Sequence, residues 1–91
     1  MPTAVQDNTT RNRFELDLGG QITFADYRRD GETLVIRHVE APPALRGKGA
    51  ADKLMQGIVE KARAEGLKIL PRCGYAASWM RRHSAHHDLL A

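Results

Sequence analysis

One cysteine, Cys73, stands among 91 residues. No internal disulfide can form, so the fold must rest on packing and hydrogen bonding. That usage fits a reducing, cytoplasmic location. Aromatic side chains are scarce too: one tryptophan, two tyrosines and two phenylalanines. The core must therefore be built from Leu, Ile, Val, Met and Ala. The interleaved basic and aromatic residues that bind single-stranded nucleic acid are missing. No apolar run approaches the ~20 residues of a membrane-spanning helix. Residues 1–11 are polar and lack the apolar stretch of a signal peptide. Neither sign of charge dominates: 14 Lys and Arg against 11 Asp and Glu leave a net charge of +3. This suits an anionic small molecule, an acidic partner or nucleic acid, and nucleic acid is the least favoured because the cations are scattered.

What is present suits one small domain. A hydrophobic fraction of 42% is ordinary for a globular protein. So short a chain buries a modest core. It is expected as a monomer or weak homodimer, stabilised by its ligand. Residues 1–12 show no periodicity and are expected to form a mobile tail, with the domain over residues 13–91. Phe14, Leu16 and Leu18 alternate with Glu15 and Asp17, which predicts a half-buried strand over residues 13–18. Gly19-Gly20 predicts a hairpin into a second strand over residues 21–28, with Ile22 and Phe24 opposite Thr23, Ala25 and Tyr27. Asp30-Gly31 predicts another hairpin, into a third strand over residues 32–39. Strict alternation there puts Leu34, Ile36 and His38 on one face and Val35, Arg37 and Val39 on the other.

Pro42-Pro43 ends the sheet run. Apolar residues at positions 51, 54, 55, 58, 59 and 62 predict a helix over residues 49–65, capped by Gly66. A short strand over residues 67–70 follows, parallel to the third by the strand–helix–strand order. Residues 74–83 predict a second helix, with Tyr75, Ala76, Trp79 and Met80 on one side, and residues 84–91 a short tail. The fold class expected is mixed α/β (α+β): an antiparallel three-stranded run, a helix, a parallel fourth strand and a short second helix.

Between the third strand and the first helix lies Arg46-Gly47-Lys48-Gly49-Ala50-Ala51. Two glycines let a ligand approach the backbone closely. A helix starting there directs free N–H groups and its positive dipole end into the loop. With Arg46 and Lys48 beside it, the loop suits a diphosphate. It is neither a Walker A loop, having no Gly-Lys-Ser/Thr, nor a dinucleotide fingerprint. The competing reading is a solvated turn.

The same six residues resemble the Arg/Gln-x-x-Gly-x-Gly/Ala loop of the GNAT N-acetyltransferase superfamily. From Phe14 to Leu90 the chain looks most like the short YjdJ-type members. The shared pieces are Val35-Ile36-Arg37-His38-Val39-Glu40, Pro42-Pro43, the loop, Ile69-Leu70-Pro71-Arg72-Cys73 with Tyr75, and Arg81-Arg82-His83. The resemblance implies acetyl-CoA as cofactor and an amine as acceptor, either a small amine or a protein lysine or N-terminus. It implies that pantetheine lies where the third and fourth strands part, pairing with the backbone near Val39 and Glu40. It implies that the diphosphate sits on the amides of Gly47 to Ala51. The helices that usually follow the first strand have no counterpart here, nor do the terminal strands, so the acceptor half is nearly absent. A CoA-binding module without turnover is the alternative.

Acyl transfer needs a neutral amine and a stabilised leaving thiolate. His38, at the expected splay, is the candidate base; the plain alternative is a histidine bound to backbone. Glu40 is a second candidate base, though it reads more simply as a surface carboxylate at a strand end. Cys73 is a candidate acetyl acceptor in a covalent route, its thiol acidified by His38 and a helix N-terminus, or else a small buried residue. Tyr75 is a candidate proton donor to the departing sulfur, or else a half-buried helix residue. Arg81, Arg82 and His83 suit a helix C-terminus by charge alone, with a reach to the CoA phosphates as the alternative for one of the three. His83, His86 and His87 have no matching carboxylate or thiol, so no metal is expected.

Overall fold

The computed structural model describes residues 5–91. Five strands form one sheet in chain order: β1 (Gln6–Asn8), β2 (Arg13–Leu18), β3 (Gln21–Asp30), β4 (Thr33–Glu40) and β5 (Lys68–Pro71). The first four pair antiparallel, and β5 pairs parallel with β4. Helix α1 (Ala50–Glu65) makes the crossover, and α2 (Gly74–Arg82) follows β5. Phe14, Leu16, Ala25, Leu34 and Ile36 face the helices and are almost wholly buried against Leu54, Met55, Ile58, Val59 and Trp79. Both helices cover that face, and no described element covers the other. No helix among the described residues is long and apolar enough to cross a membrane.

The mobile tail expected over residues 1–12 is corrected by β1; residues 1–4 lie outside the described part. A three-residue strand is too short to show alternation. Its anchors are tertiary: Val5 is 2% exposed in the core, and the Tyr27 hydroxyl donates to Asp7 Oδ1 at 2.6 Å. Burial, with the Asp7 carboxylate beside it, pushes the Tyr27 phenol up to about 12. The unfolded chain releases that proton near pH ~10. The stability tied to the buried, protonated phenol is therefore complete below about pH 10 and lost as pH rises through about 12. Urea unfolding of the parent and of Tyr27→Phe across this range is expected to show the two stabilities converging with rising pH. A constant difference would reject the linkage.

The strict alternation expected in the third strand is corrected by a bulge. Asp26 pairs with His38 but Tyr27 pairs with Ile36, so Arg37 is an extra residue in β4. An inserted residue reverses the facing of everything after it. Val39, not His38, continues the face of Leu34 and Ile36 and packs on the core. His38 joins Val35 and Arg37 on the open face.

The short tail after α2 is a correction as well. Residues Ser84–Leu89 form 3-10 turns, with Leu89 buried. Leu90 bridges Ile69 in parallel, and Ala91 N–H donates to the Ile69 carbonyl at 2.9 Å. This occupies the outer edge of β5, which alternation over so few residues does not reveal. Lys68 Nζ adds a bond to the Asp88 carbonyl at 2.6 Å.

Candidate functional site

Pairing between β4 and β5 ends at Ile36 and Pro71. Arg72 N–H and Cys73 N–H both donate to the Ile36 carbonyl, at 2.9 and 3.3 Å. The chain then turns into α2, while β4 runs on to Glu40 paired only with β3. Residues 37–40 therefore present a free backbone edge, Val39 and Glu40 among them. Pro42 and Pro43 then carry the chain out of the sheet.

A 3-10 turn over Pro43–Leu45 leads into the glycine loop. Arg46 Nε donates to the Ala41 carbonyl at 3.2 Å, and Lys48 N–H to the Leu45 carbonyl at 3.1 Å. Gly47 and Gly49 have φ of +77° and +80°, in the region that L side chains rarely adopt. A Cβ at either would meet nothing within 4 Å, so the space above the loop is open to a ligand. Gly49 is the N-cap of α1 and has no side chain to cap it. The amides of Ala50, Ala51 and Asp52 start the helix without intrahelical partners, at its positive end.

These groups line a cleft of about 340 Å³, with Arg46, Gly47, Gly49, Ala50 and Ala51 on one side and Tyr75 on the other. Lys48 is exposed beside it. Tyr75 is 36% exposed. Partial burial raises its phenol above the usual tyrosine value, and the Asp52 carboxylate adds to the shift. It stays protonated at neutral pH.

Asp52 was not legible as part of this cleft. It lines it and accepts from Trp79 Nε1 at 2.7 Å, clamping the start of α1 to α2. An acidic residue in a first helical turn is the one sequence signal it carries. The three C-terminal histidines are otherwise engaged. His83 stacks on Trp79 at 3.8 Å and bonds the Trp79 carbonyl at 2.7 Å. His87 bonds the Met80 carbonyl, and His86 lies against Arg63.

The other candidate side chains lie apart from the loop. His38 bonds Glu40 at 3.2 Å on the open face and contacts the edge of Phe24. Cys73 is half-buried at the start of α2, where Sγ accepts from Ala76 N–H at 3.3 Å. No hydrogen bond joins His38 to Cys73. The structure thus brings the loop and Tyr75 together, puts His38 and Glu40 on the far side of β4, and packs Cys73 against the core at the start of α2, where the two strands part.

Residues 13–89 match the family model described as GCN5-related N-acetyl-transferase. No curated protein matches this chain. Among solved structures, the NMR solution structure of a GCN5-like N-acetyltransferase candidate from Staphylococcus aureus is similar over 99% of this chain and 89% of its own, at 25% identity and a TM-score of 0.75. The uncapped helix behind a twin-glycine loop, the strand edge left free beside it and the match over most of the length agree: the chain belongs to the GCN5-related N-acetyltransferase family.

Proposed function

We propose that this protein binds acetyl-CoA and transfers the acetyl group to an amine, either of a small molecule or of a protein lysine or N-terminus. The observation that carries the reading is the free edge of β4 at residues 37–40 beside the uncapped amides of Ala50, Ala51 and Asp52. An extended pantetheine amide chain adds to such an edge as a strand would. A diphosphate takes the amides and the Arg46 and Lys48 charges. Acetyl-CoA supplies an activated thioester when bound. His38 lies across β4 from Tyr75, so it takes the ammonium proton of an acceptor on the open face through water, with Glu40 bonded to its ring. Tyr75, held protonated by its surroundings, donates to the departing sulfur. In the covalent route the Cys73 thiolate takes the acetyl group as CoA leaves as the thiol, then passes it to the amine. Its Cys-x-Tyr context and Arg81-Arg82-His83 support the short YjdJ-type subfamily. A cytoplasmic location rests on the single unpaired cysteine.

Binding without turnover is favoured by one observation: the face bearing His38 has no second wall among the described elements. Intact-protein mass spectrometry after incubation with acetyl-CoA, with CoA release followed alongside, decides between the readings. An acetyl adduct mapped to Cys73 is expected for the covalent route. CoA release that rises with added amine, without an adduct, is expected for direct transfer. Neither signal, in protein that still binds CoA, would leave the binding module.

A further inference from the structure

The open face of the sheet is rich in arginine. Arg28, Arg37 and Arg72 line a cleft of about 370 Å³ across β3, β4 and the end of β5. Its floor is apolar: Val35 and Leu70 are register partners across β4 and β5. A second cleft of about 500 Å³ shares Arg28 and Arg37 and adds Arg11, Asp26 and His38. The two adjoin, so one shallow groove crosses the strands and ends at His38.

The charges in this groove are not internally satisfied. Among the described residues no carboxylate forms an ion pair with Arg11, Arg37 or Arg72, and Arg28 reaches only Asp30 at 3.8 Å, both largely exposed. Four guanidinium groups line it against two carboxylates, Asp26 and Asp30, with Glu15 acting on Arg11 and Glu40 on His38 at its margin. Nothing in the core requires this arrangement, and mutual repulsion works against it.

We propose that this groove docks an acidic peptide segment, which extends the acetyltransferase reading by presenting the acceptor amine near His38. Guanidinium groups bind carboxylates in a fixed planar fork. The Val35–Leu70 floor takes aliphatic side chains between the acidic ones. Asp26 and Asp30 accept from peptide N–H or ammonium groups. Among the described residues near this groove, the Tyr27 ring is buried against Phe14 and the Phe24 ring already carries Arg13 over it at 4.4 Å, so bases have no free platform on which to stack.

Fluorescence anisotropy with a labelled peptide of alternating Glu and Leu tests this in the absence of cofactor, so failure of the acetyltransferase reading leaves the result intact. The parent is expected to bind, and raised salt to weaken the complex. Arg37→Glu with Arg72→Glu is expected to lower affinity by more than about tenfold, from two reversed charge contacts. Lys61→Glu on α1 makes a charge reversal away from this face and is expected to bind as the parent does. Arg37→Lys is expected to restore part of the affinity lost in Arg37→Gln. Circular dichroism checks that the exposed substitutions leave the fold unchanged. Equal affinity for parent and double variant would overturn the proposal, as would tighter binding of a single-stranded oligonucleotide or no binding of the acidic peptide by the parent.

Discussion

Replacing Gly49 with asparagine is expected to abolish CoA binding while the fold persists. Gly49 holds φ of +80° at the N-cap of α1, a region that asparagine tolerates far better than most residues. Its new side chain would project into the open space above the loop, where a Cβ meets no protein atom. Any ligand lying on the amides of Ala50 and Ala51 would meet it instead. Calorimetric titration with CoA is expected to show a loss of more than about a hundredfold, as befits displacement of a charged group from its hydrogen-bond donors. Gly49→Val makes a poorer test. The space is there, but a β-branched residue at this φ strains the backbone by about 1–3 kcal/mol, so lost affinity would mix strain with blockage. Full affinity in Gly49→Asn would remove the loop from the binding site.

Trp79→Ala is expected to be the most damaging single change to stability. The indole is fully buried among the elements that join α2 to the sheet. Truncations of this size cost about 3–5 kcal/mol, a large share of the roughly 5–15 kcal/mol that holds a domain together. Thermal unfolding should fall by on the order of 20 °C for a chain of this length. Trp79→Phe keeps most of the packing but loses the bond from Nε1 to Asp52. Because the Asp52 side chain is half exposed, water can replace that partner, and the cost is expected to be only about 1–2 kcal/mol. Calorimetric scans of the two variants separate packing from the hydrogen bond. Equal losses would show that the clamp between α1 and α2 outweighs the filled core.

Local rules made several features of this protein readable from residues alone. Alternation defined β2 with its ends at Arg13 and Leu18. The three- and four-residue spacing defined the buried stripe of α1, and Gly66 its end in a left-handed cap. The twin-glycine loop was legible because a helix start and a positive φ each leave a compositional mark. The resemblance to acetyltransferases followed from the same residues. Features without a local mark needed the tertiary structure. β1 is held by Val5 and by a bond from Tyr27 to Asp7 across 20 positions. The Leu90 bridge depends on the free edge of β5. The bulge at Arg37 turned His38 away from the core and onto the arginine-rich face, because one extra residue inverts a period of two. Asp52 entered the cleft through Trp79, 27 positions along the chain. The chain alone determined β2 to β5, α1, α2 and the place of the glycine loop before a helix start, since those depend on near neighbours. Which face His38 occupies, which edge of β4 stays free and which arginines gather in one groove were decided by pairing between distant segments.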